Sequence, residues 1–130
     1  MKKGFTLVEL LGVIVIIGVI ALITMPILTN TISQSEEKTY NKQVKMIEAS
    51  AKEWGVENID FLPDEVSGVG KVISLQTLID SGKIQNTTIQ DPRTREEMKG
   101  CVVVTYNSQY KQYEYKYNDD STYCSNLQDN

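Results

Sequence analysis

The sequence predicts an α+β fold: a long N-terminal helix, membrane-spanning in its first half, packed on a small antiparallel β-sheet. Three observations carry this. Residues Phe5 to Leu28 form one apolar run with a single ionisable side chain, Glu9. Tyr40, Val44, Ile47, Ala51 and Trp54 then recur at the helical period. Finally, Cys101–Tyr106 and Tyr110–Tyr117 are β-branched or alternating segments around a polar connection, the pattern of a hairpin.

The run 5–28 invites three readings. A secretory signal has an apolar region of about 7–15 residues and a small-x-small cleavage site; this run is longer, and no Ala-x-Ala follows it. A core helix in so small a domain is rarely apolar on every side. A membrane span needs about 20 apolar residues, which the run supplies. Its 16 Leu, Ile, Val and Phe residues favour insertion by roughly 5–10 kcal/mol, against about 2.5–3.5 kcal/mol for a charge at the bilayer centre. Glu9 lies near one end, so its cost is lower. Lys2 and Lys3 precede the span, and no Lys or Arg follows until Lys38. The positive-inside rule therefore puts the N-terminus in the cytoplasm and the remainder outside.

Beyond the span the helix is expected to continue to Trp54, with Glu48 and Lys52 as an i, i+4 pair on its polar face. A helix from Phe5 to Trp54 would be about 75 Å long. Gly55 is the expected stop. Pro26 removes one backbone hydrogen bond and crowds the preceding turn, so a kink or local unwinding is expected there. Gly12 and Gly18 do not form a Gly-x-x-x-Gly motif, their spacing being six. The expected organisation is a leader at 1–4, a membrane and assembly helix at 5–28, its amphipathic continuation at 29–54, and a globular head at 55–130.

In the head, residues 55–73 read as a connecting loop. Ser74–Gly82 reads as a short helix that Ser74 caps, with Leu75, Leu78 and Ile79 facing inward and Gly82 at its end. Asp91-Pro92-Arg93-Thr94 is a turn signal. Tyr113, Tyr115 and Tyr117 share one face of the second hairpin strand, and that face is expected to cover the long helix. Two strands alone are marginal, so a third is expected near residues 86–90 or after 117.

Composition removes several function classes. The chain has 130 residues, a formal charge of −4 and no histidine. After Leu28 there are 11 Lys and Arg against 16 Asp and Glu, an acidic balance that argues against nucleic-acid binding. Without histidine, a Ser–His or Cys–His catalytic pair and a four-ligand Cys/His zinc site are excluded within one chain. A secreted enzyme is a third reading with no supporting constellation, although composition leaves a Lys- or carboxylate-based site open; no cofactor is expected. Cys101 and Cys124 read as one disulfide if the head is extracytoplasmic, and otherwise as two free buried thiols. The bridge would pin the C-terminal loop to the start of the sheet. It would stabilise by roughly 3.4 kcal/mol in the chain-entropy model.

Lys3-Gly4-Phe5-Thr6-Leu7-Val8-Glu9, followed by the apolar run, resembles the N-terminus of type IV pilins and pseudopilins. The likeness covers roughly residues 3–30, and the head resembles a pilin head in outline only. The resemblance implies that a prepilin peptidase cuts between Gly4 and Phe5. Phe5 then becomes the mature N-terminus, N-methylated by the same enzyme. It implies that Glu9 pairs with the amino group of Phe5 in a neighbouring subunit, and that Pro26 sits where the pilin helix often bends. It implies further partners: an assembly ATPase, an inner-membrane platform and other copies of the chain in a helical filament at the cell surface. Some pseudopilins hold calcium in a C-terminal loop, which makes Asp119 and Asp120 the calcium candidates here; a solvated acidic turn is the preferred reading.

Elementary electrostatics supports the role of Glu9 separately. A carboxylate and a newly made ammonium are each costly in an apolar medium and become tolerable when paired. Phe5 and Glu9 are i and i+4, about 6 Å apart along a helix, so pairing within one chain and between chains both remain open. Two functions follow. In the first, the chain is a filament subunit. In the second, it is a non-polymerising single-pass membrane protein with a small binding head, an unprocessed N-terminus and no use for Glu9.

Overall fold

Helix α1 spans Leu7–Glu57, 51 residues, in a computed structural model that describes residues 4–66, 68–85 and 89–128. It contributes to two compact units, Met1–Glu37 and Lys38–Asn130. In the first unit the large apolar side chains of α1 are exposed on all sides. No residue of the most apolar window is buried. By length and composition the helix is apolar enough to cross a membrane.

The second unit is built on the amphipathic end of α1. Ile47 and Ala51 are fully buried, and Tyr40, Val44 and Trp54 pack around them. This is the stripe read at spacings of four and three, so its apolar face has found the sheet. The helix does not stop at Gly55. It runs two residues further and is closed by Asn58, whose backbone and side-chain nitrogens both donate to the Trp54 carbonyl at 3.0 and 2.8 Å. Gly55 serves close packing instead. A Cβ there would run into the Tyr115 ring, with Cε1 at 3.1 Å.

A 3-10 turn, Ile59–Phe61, follows, and Phe61 meets Trp54 edge to face at 5.1 Å. Strand β1 is Lys71–Ser74. All but its last residue lies in the segment read as a loop, and it is the third strand of the sheet. Its four residues are too short for an alternation to show above the surrounding glycines. Of the places expected for that strand, Asn86–Thr88 lie outside the described residues. Gln90 forms only an isolated bridge to Glu97, and residues after 117 turn into a helix.

Ser74 both ends β1 and caps α2, Leu75–Asp80. Its hydroxyl accepts the Thr77 N–H at 3.1 Å. Leu75 and Leu78 are buried, and Gly82 takes a φ of 77° where the chain reverses. Strands β2, Cys101–Asn107, and β3, Gln112–Asn118, complete an antiparallel sheet of order β1-β2-β3. The hairpin register pairs Val102 with Tyr117, Val104 with Tyr115 and Tyr106 with Tyr113. β3 therefore starts at Gln112, two residues later than its tyrosines suggest, and Lys111 at φ 54° closes the connection.

The sheet has two covered faces. Ile73, Val102, Val104 and the three β3 tyrosines face α1. Val72, Cys101 and Val103 face Cys124 and Leu127 of the terminal helix α3, Ser121–Gln128. The C-terminal segment expected to be a loop is thus a helix. Asp120 starts it by accepting the Thr122 and Tyr123 N–H groups at 2.9 and 3.3 Å.

Gly100 enters β2 where no side chain fits. A Cβ there would strike the Asn118 carbonyl oxygen and the Tyr117 hydroxyl. The backbone carbonyl cannot give way as a flexible side-chain tip would. Gly100→Ala is expected to destabilise the head by about 1–3 kcal/mol. That appears as a melting point lower by roughly 4–8 °C per kcal/mol. An unchanged melting point would mean that the Tyr117 ring and β3 can move aside.

Candidate functional site: the N-terminal segment and the disulfide-closed head

Gly4, Phe5 and Thr6 precede the first helical residue and are exposed, Phe5 at 90%. The Gly4–Phe5 peptide is therefore neither helical nor covered, as a peptidase substrate must be. What sets the helix start is local. Thr6 Oγ1 accepts the Glu9 N–H at 3.2 Å, and Glu9 Oε2 accepts the Thr6 N–H at 2.9 Å. This reciprocal pair is a capping box, which satisfies two of the four N–H groups that every helix leaves open. It is also why α1 begins at Leu7 rather than Phe5. The signal was in the sequence: Thr6-Leu7-Val8-Glu9 is a Thr-x-x-Glu pattern ahead of an apolar run. In the sequence the charge of Glu9 stands out, whereas its reach back to Thr6 shows only once the helix start is known.

Glu9 thus sits in the first turn of the helix, bonded back to Thr6. Its carboxylate also complements the positive end of the helix dipole. The rest of the first unit is suited to an apolar surrounding. Thr24 donates to the Ile20 carbonyl at 3.0 Å, Thr29 to Pro26 at 3.0 Å and Thr31 to Ile27 at 2.9 Å. Their hydroxyls need no water. Pro26 lies inside α1, and the helix is assigned without a break across it. The local unwinding expected there is absent; the surrounding turns stay helical, and a proline φ near −65° is itself compatible with a helix. Gly12 and Gly18 have open space within 4 Å where a Cβ would stand.

Residues 1–25 match the prokaryotic N-terminal methylation motif. The match agrees with the resemblance to type IV prepilins and pseudopilins read from residues 3–30. It covers Gly4, Phe5, Thr6 and Glu9 in one stretch, and ends just before Pro26. No curated protein and no solved structure matches the chain. The methylation motif implies processing by a prepilin peptidase. With the apolar helix, it fits a membrane-anchored precursor.

At the other end of the chain, Cys101 and Cys124 form a disulfide with Cα atoms 6.0 Å apart. Both are buried. Asp120 caps α3, and its own N–H is taken by Asn118 Oδ1 at 2.8 Å. Among the described residues no group of three or more Cys, Asp or Glu side chains could hold a metal ion.

A polar cluster ties the long connection before β2 to α1. The Arg93 guanidinium lies 3.5 Å from the Tyr40 ring centroid and pairs with Asp91 at 2.9 Å. Gln43 Nε2 donates to the Gln90 carbonyl at 2.9 Å. The Arg93 hydrogen bond holds the Asp91 carboxyl below its usual range. What that pair contributes is therefore present above the ordinary carboxylate range and is lost as pH falls through the lowered value. Burial pushes the neighbouring Tyr117 hydroxyl up to about 12. This cluster orders the connection before β2.

Proposed function

We propose that this chain is the precursor of a structural subunit of an extracytoplasmic type IV pilus or pseudopilus filament, not an enzyme. The observation that carries the reading is the methylation motif running into a helix whose apolar side chains are exposed on every side. Such a surface needs lipid first and like helices afterwards, and a repeating, non-closing contact between like helices builds a filament. Cleavage after Gly4 frees an ammonium on Phe5, and Glu9 of a neighbouring subunit neutralises it. Gly4 and Phe5 are then the processing site, Glu9 the assembly residue, and Pro26 a point where the helix can adjust to its neighbours. The precursor crosses the cytoplasmic membrane once, with Met1 inside and the head outside. Homo-oligomerisation, the assembly ATPase and the platform belong to the same reading.

The test is processing coupled to polymerisation. In the native cell, filaments sheared from the surface are expected to contain this chain, and to vanish when the prepilin peptidase is removed. Fully processed protein that never enters a sheared or sedimentable fraction would overturn the proposal in favour of a tethered monomer.

A further inference from the structure

Strand β1 is an edge of the sheet, and a groove of about 530 Å³ runs along it. Residues 69–74 line it one after another. Neighbouring residues of a strand point to opposite faces, so a groove that touches all of them lies along the edge and not over a face. Its walls agree: Trp54 and Phe61 stand on the α1 side, and Leu127 of α3 on the other.

The backbone of this edge is open. The Tyr117 N–H points away from β2, since it donates to Glu48 Oε1 at 3.4 Å. Alternation then makes Lys71–Val104 and Ile73–Val102 the hydrogen-bonded pairs of β1 and β2. The N–H and C=O of Val72 therefore point outward into the groove, and neither has a hydrogen-bond partner among the described residues. Lys71 and Ile73 share the face of Trp54 and Phe61. The Lys71 ammonium lies 5.3 Å from the Phe61 ring centroid and has no carboxylate partner among the described residues, whereas Lys83 pairs with Glu53 and Glu57. An open edge is a template for another strand, and the side chains beside it select the occupant. Here they are an aromatic wall and an unpaired cation.

We propose that β1 accepts, as a fourth strand, an extended segment of a different protein with an apolar residue, any residue and an acidic residue in succession. In an antiparallel pairing the middle residue exchanges both backbone hydrogen bonds with Val72. The residue before it stands opposite Ile73 and lays its apolar side chain on the Trp54–Phe61 wall. The residue after it stands opposite Lys71 and brings its carboxylate to the ammonium; opposite charges directly across a strand pair attract. A second head offers no such edge. β1 itself carries no carboxylate, and antiparallel pairing of two β1 strands would set their α1 helices in opposite directions. The β3 edge has its Tyr117 N–H held by Glu48. The contact stands whether or not the chain polymerises.

Trp54 is the single tryptophan of the chain, so its emission reports on the groove. Full-length protein in detergent micelles is titrated with a blocked five-residue peptide, leucine-valine-glutamate between two threonines. The Trp54 emission is expected to shift and to saturate. Lysine in place of the glutamate is expected to weaken binding about tenfold, because an attraction becomes a repulsion. Proline in place of the valine removes the N–H that the Val72 carbonyl accepts, and is expected to abolish the shift. Lys71→Glu reverses the preference, so that the lysine peptide binds about tenfold more tightly than the glutamate peptide; that reversal also shows a folded head. No shift with the glutamate peptide, equal affinity for the glutamate and lysine peptides, or a proline peptide that binds as well would overturn the proposal. So would an emission shift that grows with protein concentration in the absence of peptide, which would assign the groove to a second copy.

Discussion

Glu9→Gln is expected to abolish sedimentable filaments while leaving membrane insertion and leader cleavage at wild-type levels. Glutamine is the telling replacement. It can still accept the Thr6 N–H, because Gln serves at this place in a capping box as Glu does. The helix start at Leu7 and the exposure of the Gly4–Phe5 peptide are then preserved. Only the negative charge is lost. Insertion is driven by 16 Leu, Ile, Val and Phe residues, worth roughly 5–10 kcal/mol, and does not depend on the carboxylate. On the proposed reading assembly does, because an ammonium carried into an apolar fibre core would lose its counter-charge. Removing one partner of a buried ion pair costs about 3–5 kcal/mol, a factor of roughly a hundred to several thousand per contact, repeated at every subunit. Glu9→Ala is expected to fail in the same way and to lose the cap as well. Comparing sheared and membrane fractions for both variants separates charge from capping. Filaments in Glu9→Gln but not in Glu9→Ala would make Glu9 a helix cap and remove its role as counter-ion.

Loss of the disulfide is expected to be the largest single blow to the head. Cys101 begins β2, and Cys124 is a buried residue of α3. Apart from this link, α3 holds the sheet through Leu127 against Val72 and Val103. A helix of eight residues does not persist alone in water. Replacing both cysteines with serine should therefore cost about 3.4 kcal/mol by the chain-entropy estimate. It should also release α3 and lower the melting point by more than about 10 °C. Thermal unfolding with and without reductant, together with limited proteolysis after residue 118, reads both effects. A melting point that does not respond to reduction would show that the α1 face of the sheet alone holds the head.

The parts that were legible in the sequence are those with a repeating physical signal. The apolar run, the stripe from Tyr40 to Trp54, the Ser74 cap and the tyrosine alternation each repeat or pair a local preference often enough to be read. Three of the misses share a cause: the decisive contact is distant in sequence. β1 has four residues and is a strand because β2 supplies its partners. Gly55 looks like a stop, and is a packing glycine because Tyr115 arrives from 60 residues away. α3 was hidden because its polar residues carry no apolar stripe, and it is held by one disulfide and one leucine. At the N-terminus the residues were read and one of their contacts was not. Glu9 stood out as a charge, while its hydrogen bond to Thr6, only three residues back, depended on noticing where the helix begins.

The most direct measurement is the identity of the first residue. Protein taken from its native cell, in intact-mass and N-terminal fragment spectra, is expected to begin at Phe5 with one added methyl group on its amine. Met1 or Lys2 at the N-terminus of the assembled or surface-exposed protein would contradict the account, because Glu9 would then face no liberated ammonium at all.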